Sequence, residues 1–234
     1  MKILSTSVSS NTVEGSHTAT HIADVFGTML ADWSISTKTH VVLRDNTANM
    51  VKGIDEANVA SVGCFAHSMQ LYIQPQLSSK KDDVKFLVQL LAQCRSLVGH
   101  FSHSVLAKEK LKAIQESIQG APKHKLIQDV STRWNSAFYT VERLLEQEEV
   151  LTAYERRHHG QLPVAVPPSF KFGWLRQLVH LLAPVEEVTR QVCRDTATAA
   201  DVIPLTMGLK MKLETDDGED VKCIQDNMLT QLGI

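Results

Sequence analysis

The sequence predicts an α/β region followed by a larger all-α region. Up to about residue 78, short stretches rich in β-branched residues alternate with stretches of helical period, which is typical of an α/β layer. Beyond Ser78 the apolar residues recur almost entirely at three- and four-residue steps, the period of a one-faced helix. We therefore place one domain at 1–78 and a mainly helical one at 79–234.

Bulk composition narrows the class of protein. The chain has 234 residues, of which 43% are hydrophobic, enough to build a core. Its formal net charge of -2 excludes an overall positive field that would attract nucleic acid, so such binding would need local patches. The four cysteines form no CxxC pair, which favours a reducing compartment. No stretch approaches the roughly 20 apolar residues of a membrane span, and we expect no membrane partner.

Strands and helices alternate along the first domain. The opening "MKILSTSVSSN" suits a strand at or near the first residue, and 17–33 carries apolar side chains at helical spacing. "THVVLRDN" predicts a short buried strand that ends at Asp45. A helix restarts there because Asp45, Asn46 and Thr47 are all favoured N-cap residues. "SVGCFAHSMQLYI" predicts a second strand that turns into a helix.

Three helical stripes are predicted in the second domain. Prolines in "GQLPVAVPPSF" cannot lie inside a helix and mark a linker between the second and third stripes. The acidic stretch at 214–220 predicts a solvated loop between helices. The members of the stripes are Val84, Leu87, Leu91, Cys94 and Val98; Val141, Leu144, Leu145 and Leu151; and Trp174, Leu178, Leu181, Leu182, Val185 and Val188.

Asp45 is the first candidate functional residue. It follows the carboxyl end of a strand, where open α/β sheets gather functional groups, and its oxygens can bind a hard cation such as Mg²⁺. The alternative is an N-cap for the following helix, which the local sequence favours. One carboxylate alone is not a metal site.

Cys64 and His67 have the i, i+3 spacing that places a thiol and an imidazole on one helix face. They are at best half of a zinc site, because no second Cys/His pair stands at a usual spacing. The favoured alternative is a small buried side chain beside a hydrogen-bonded histidine.

Arg133, Trp134 and Asn135 stand together at a predicted helix entrance in "DVSTRWNSAFYTVERLLEQ". The arginine can bind a phosphate, the indole can stack on a displaced base, and the asparagine can cap the helix or read a base edge. The basic stretch "PKHKL" at 122–126 supports phosphate binding. The residues alone nevertheless favour Trp134 as a core anchor with the arginine stacked on it.

Four motifs in order carry a family resemblance: "HTATHIADVFGTMLADWSI", "RDNTANMVKGI", "CFAHSMQLYIQ" and the stretch around "STRWNS". They resemble the consecutive motifs of hAT-superfamily transposases, in particular the vertebrate BED-zinc-finger-associated (ZBED-like) relatives, from His17 to about Leu213. The resemblance implies an RNase H-like mixed sheet, here incomplete, that is interrupted by a large helical insertion. It also implies a triad of acids that binds Mg²⁺ or Mn²⁺ in a complete catalytic domain.

The resemblance further implies roles for single residues. Asp45 falls on the second acid of the triad, and His67 on a histidine beside the catalytic centre that holds DNA. Arg133 and Trp134 fall on a pair whose tryptophan stacks on a flipped base, so we expect an exposed ring. Asn135 joins them in DNA binding, and supporting positions are Asn46, Asn49 and Cys64.

The chain departs from the family pattern in ways that bear on catalysis. We expect the first and third acids to lie outside this chain, and Arg44 to neutralise Asp45. One carboxylate cannot hold two metal ions, so we expect no DNA cleavage and no cofactor in this chain. A zinc-binding BED finger and a dimerisation segment are likewise expected elsewhere.

Three functional interpretations follow. The leading one is a non-catalytic, transposase-derived nuclear protein that binds DNA or chromatin partners and regulates transcription. The second is a fragment of an active transposase that cleaves and transfers DNA with a metal. The third is an interaction scaffold in which Trp134 is buried and the helical stripes bind a partner chain, whereas contacts with a second copy or with chromatin proteins are expected through regions outside this chain.

Overall fold

The computed structural model describes residues 16–79, 81–130, 132–216 and 218–232. The strand predicted at "MKILSTSVSSN" lies outside these residues. The chain divides into two compact units, Met1–Met69 with Gln191–Val202, and Gln70–Arg190 with Ile203–Ile234. Residues 70–78, which were expected in the first domain, thus group with the helical unit.

The first unit contains a small sheet and the helices beside it. The two strands pair in parallel, with Leu43 opposite Val62, and no further strand is present among residues 16–79. The large mixed sheet is therefore not seen. Leu43 is 71% exposed and Val42 and Arg44 are only partly buried, so the expectation that the strand they form is buried is wrong. The elements are α1 Ala19–Asp32, β1 Val42–Arg44, α2 Ala48–Glu56, β2 Ser61–Gly63 and the beginning of α3 Phe65–Ile73.

Close approach of α1 and α2 depends on a glycine. A Cβ atom on Gly53 would lie 2.8 Å from Ile22 Cγ2 and 2.9 Å from the carbonyl oxygen of Ala19. Only a residue without a side chain fits at this contact. Thr18 begins α1, and its hydroxyl accepts a hydrogen bond from the His21 N–H.

The second unit is a bundle of helices, as the periodicity predicts. Nearly all members of the three stripes are buried, with Leu145 and Trp174 partly exposed. Ser104 separates the first two long helices and caps the second by accepting from the Ala107 N–H. The helices are α4 Asp82–His103, α5 Val105–Ser117, α6 Trp134–Glu146, α7 Glu148–Arg157, α8 Ser169–Val192, α9 Val202–Glu214 and α10 Lys222–Gln231, of which α8 and α9 each extend into the first unit.

The structure agrees with one of the two predicted connections between helices and differs from the other. The proline-containing linker is confirmed, since residues 158–168 are not helical. The acidic loop is not simply solvated: the Asp216 side chain is 6% exposed, with Oδ2 2.7 Å from His180 Nδ1. Asp216 Oδ1 also accepts from the Gly218 N–H at 3.0 Å. Among the described residues, no helix has the length and apolar character needed to cross a membrane.

Candidate functional site

The Asp45 carboxylate is occupied by its own chain. Its Oδ1 accepts hydrogen bonds from the Thr47 hydroxyl at 2.7 Å and the Thr47 N–H at 2.9 Å. These two bonds are the main reason why the pKa of Asp45 is lowered from 3.8, with smaller contributions from His67 and Arg44. Thr47 holds the N-cap position of α2, so Asp45 fixes the turn before the helix. The sequence-based alternative of Asp45 as the N-cap is therefore right about a structural role at the start of α2 but wrong about the position, which belongs to Thr47.

Arg44 ties the two strands together instead of pairing with the Asp45 carboxylate. Its Nε donates to Ser61 Oγ at 3.0 Å, and its Nη1 donates to the Asp45 carbonyl oxygen at 3.1 Å. The expectation that Arg44 neutralises Asp45 is therefore wrong. The charge of Arg44 makes the smallest contribution to the lowered pKa of Asp45.

Asn46 fastens the turn to the start of α3. Its Nδ2 donates to Ser68 Oγ at 2.8 Å and to the Cys64 carbonyl oxygen at 3.2 Å. A Cβ on Gly63 would lie 2.2 Å from Asn46 Oδ1, so the glycine leaves room for this amide. Asn49 Nδ2 donates to the His17 carbonyl oxygen at 2.9 Å. Both supporting asparagines thus have structural partners.

Cys64 and His67 gain no further ligands in the part of the chain that the structure describes. Both are partly exposed, and the Cys64 thiol is free. No group of three or more His, Cys, Asp or Glu side chains that could hold a metal lies among the described residues. His67 does lie near enough to Asp45 to act on its pKa.

Trp134 is a core residue. Its side chain is 0% exposed, and it shares one face of α6 with Ala137, Phe138 and Val141, all of them buried. The expectation of an exposed stacking ring is corrected, because an i, i+3, i+4, i+7 pattern directs the indole into the bundle. Trp134 Nε1 has no hydrogen-bond partner among the described residues.

A buried acid anchors the segment that precedes α6. Asp129, with a side chain 2% exposed, forms an ion pair with Arg95 of α4. Asp129 Oδ1 also accepts from the Ser136 hydroxyl at 2.5 Å. The Val130 N–H donates to Ser136 Oγ at 2.9 Å and closes the turn. We call this set of four residues the entry lock of α6.

Gln70 holds the same segment from α3. Its Nε2 donates to the Thr132 carbonyl oxygen at 2.7 Å, and its Oε1 accepts from the Trp134 N–H at 3.3 Å. The sequence alone did not identify Gln70, Arg95, Asp129 or Ser136. Asp129, Ser136 and Gln70 stand inside quoted motifs and could have been suspected, whereas Arg95 carries no local signal.

Arg133 and Trp134 have opposite environments. Arg133 is exposed at the N-cap of α6, and its side chain has no ion pair or hydrogen bond within the described ranges. Asn135 is partly exposed. An uncommitted guanidinium at a helix N-terminus is well suited to bind a phosphate.

Comparisons with known proteins agree with the motifs. The family model of the ZBED1 RNase-like helical domain matches residues 62–164. Zinc finger BED domain-containing protein 4 of Homo sapiens is 27% identical over 184 residues, 78% of this chain and 15% of that protein. Zinc finger BED domain-containing protein 6 is 31% identical in Homo sapiens and 30% in Mus musculus, each over 74% of this chain and 17% of the relative. The matched region is thus about a sixth of these relatives' length.

Proposed function

The chain is a ZBED-like relative of the hAT transposases, and from this premise we propose that it is a non-catalytic nuclear protein that binds DNA. In this proposal β1 and β2 belong to an RNase H-like mixed sheet, and regulation of transcription follows from DNA binding. No cofactor is needed for binding by this chain. Mg²⁺ or Mn²⁺ would serve only a complete catalytic domain, and zinc only a BED finger.

The hydrogen bonds of Asp45 support the proposal that the chain is non-catalytic. Two hydrogen bonds from Thr47 engage Oδ1, one of the two carboxylate oxygens of Asp45. Cleavage by two metal ions needs several carboxylates around one centre. Asp45 instead stabilises the start of α2. Asn46 and Asn49 likewise have structural roles, because their side chains donate to Ser68 and His17.

The single observation that carries DNA binding is the environment of Arg133. The entry lock and Gln70 fix the backbone on both sides of it. The guanidinium itself forms no ion pair or hydrogen bond with a described residue, and Arg133 is exposed. A guanidinium without an internal partner on a fixed backbone is available to a phosphate, and binding has to order its side chain only.

Fluorescence anisotropy with labelled duplex and single-stranded DNA tests the proposal. We expect Arg133→Ala to weaken binding about fivefold and Arg133→Lys to weaken it less, because lysine keeps the charge but not the bidentate geometry. Arg176→Ala is the matched control, since Arg176 is an exposed arginine that already pairs with Glu148. If wild type does not bind, or if the control weakens binding as much as Arg133→Ala, the proposal fails.

Nuclear localisation is tested separately. We expect a fluorescently tagged chain to accumulate in the nuclei of cultured cells. A uniform distribution between nucleus and cytoplasm would contradict this part of the proposal without touching DNA binding.

A second candidate function is protein interaction, and one observation favours it. Ile203, Met207 and Met211 follow one another at four-residue steps on α9 and are 70%, 62% and 66% exposed. Such contiguous apolar side chains mark interaction surfaces. A second copy is one partner, and light scattering across a concentration series tests it. Met207→Glu should abolish any concentration-dependent increase in mass.

A further inference from the structure

A cavity of about 490 Å³ opens beside the loop that precedes α6 in the helical unit. Phe101 and Leu111 form part of its wall from α4 and α5, and Leu126 contributes from the loop. Cavities of this volume with mainly apolar walls hold small organic molecules. The charged part of the lining consists mainly of lysines, namely Lys108, Lys112, Lys123 and Lys125.

The lysines are poorly neutralised. Glu116 is the one acid in the lining among the described residues, and its carboxylate lies 3.8 Å from Lys112 Nζ. The side chains of Lys108, Lys123 and Lys125 form no ion pair or hydrogen bond within the part of the chain that the structure describes. Amines of like charge around one cavity repel one another, and an anion relieves that repulsion. Because the whole chain carries a net charge of -2, this concentration of positive charge is local.

Buried glutamine side chains fix the backbone of the loop that carries Lys123 and Lys125. Gln115, 6% exposed, donates from Nε2 to the His124 carbonyl oxygen at 3.0 Å. Gln147, 0% exposed, donates from Nε2 to the Pro122 carbonyl oxygen at 2.8 Å. The two glutamines also bond each other, and Arg143 Nη1 donates to the Lys125 carbonyl oxygen at 2.6 Å. The loop backbone is therefore fixed before any ligand arrives, which lowers the entropy cost of binding.

We propose that this cavity binds a phosphorylated small molecule of nucleotide size. Lys108, Lys123 and Lys125 hold the phosphates, and the apolar part of the ligand packs against Phe101 and Leu126. A phosphate monoester carries a charge near -2, so it can balance several amines, whereas a ligand with one carboxylate carries only one negative charge. The concave shape favours a small molecule over a duplex, whose phosphates follow an extended basic stripe. The inference goes beyond DNA binding and does not involve Arg133.

Isothermal titration calorimetry of the full chain with metal-free ATP tests the site. We expect Lys108→Ala and Lys123→Ala each to raise the Kd about fivefold, because each removes one amine from the phosphates. Lys210→Ala is the matched control, since Lys210 lies on α9, outside the cavity lining, 3.7 Å from Glu214. Pyrophosphate, which lacks an apolar part, should bind more weakly than ATP, and uncharged adenosine should bind weakest.

Three results would overturn the proposal. The first is the absence of any heat of binding at millimolar concentrations of ATP. Equal losses in Lys210→Ala and Lys123→Ala would reduce the effect to general surface charge. Duplex DNA that displaces ATP and depends more strongly on Lys108 and Lys123 would assign the cavity to DNA. Because Arg133→Ala leaves these lysines intact, failure here is separate from failure of the proposed DNA binding.

Discussion

At the scale of single residues, the adjacent side chains of Arg133 and Trp134 have different roles. Trp134 fills the bundle with no exposed surface, while Arg133 is exposed and free of described partners. The indole contributes by its volume, since Nε1 donates no hydrogen bond to a described residue. Its role is therefore apolar packing, and the polar function of the motif rests on Arg133.

Substitution of Trp134 separates volume from hydrogen bonding. We expect Trp134→Ala to lower the free energy of unfolding by about 3–5 kcal/mol, through lost burial and the cavity left behind. Trp134→Phe should cost less than about 2 kcal/mol, because it keeps an aromatic ring and sacrifices no hydrogen bond. Urea unfolding followed by circular dichroism measures both. Equal costs for the two variants would mean that the indole N–H has a partner.

Asp45 gives the first unit a specific dependence on pH. Its pKa is lowered from 3.8, chiefly by the Thr47 hydroxyl and N–H. A carboxylate with a depressed pKa stabilises the fold above its unfolded-state value, and that contribution is lost as pH falls through the lowered pKa. We expect Asp45→Asn to destabilise by less than about 1 kcal/mol at neutral pH, because asparagine keeps an acceptor oxygen for Thr47 but loses the charge that strengthens both hydrogen bonds.

Urea unfolding of wild type and Asp45→Asn at about pH 7 and about pH 3 checks the sign. The difference between the two proteins should shrink as the pH falls, because protonation removes the carboxylate from wild type as well. A difference that stays constant or grows toward low pH would show that the Thr47 hydrogen bonds do not stabilise the ionised form.

At the scale of elements, the entry lock decides where α6 begins. The side chain of Asp129 is 2% exposed, and Arg95 is 29% exposed. We expect Asp129→Asn to cost an amount near the lower end of the roughly 3–5 kcal/mol typical of broken buried pairs, because water reaches Arg95 in part. Asp82→Asn, at a side chain 96% exposed, should change stability by less than about 0.5 kcal/mol.

Hydrogen exchange distinguishes a local from a global effect of Asp129→Asn. The amide of Val130 donates to Ser136 Oγ, so it should exchange faster in the variant than in wild type. The Asp82→Asn protein should keep the wild-type rate. Unchanged exchange at Val130 would mean that Asp129 stabilises the bundle without holding this turn.

The elements also show what a sequence pattern can and cannot predict. The helical stripes of α4 and α8 were readable because burial on one face imposes a 3.6-residue period. The residues alone favoured Trp134 as a core anchor, whereas the family resemblance favoured an exposed ring, and the indole is in fact fully buried. The pairing of Arg95 with Asp129 joins residues 34 positions apart, and no local pattern encodes such a contact. The local sequence favoured Asp45 as the helix N-cap, but the N-cap is Thr47, and Asp45 instead accepts two hydrogen bonds from that residue.

At the scale of the whole molecule, the distribution of charge limits how DNA can bind. A formal charge of -2 gives no general attraction to a polyanion, so affinity must come from a few exposed cations such as Arg133. Each phosphate contact releases about one counterion, and the number of contacts appears as the slope of log K against log salt. A large basic surface would give a steep slope, and a small local site would give a shallow one.

We therefore expect a slope of about -1 to -3 for duplex DNA, and a slope shallower by about 1 in Arg133→Ala. Anisotropy titrations at four or more salt concentrations, with Arg176→Ala in parallel, measure both quantities. Saturating ATP should leave the wild-type slope unchanged if the cavity lined by Lys108, Lys123 and Lys125 takes no part in DNA binding. A slope that stays the same in Arg133→Ala would remove Arg133 from the phosphate contacts, and with it the observation on which DNA binding by this chain rests.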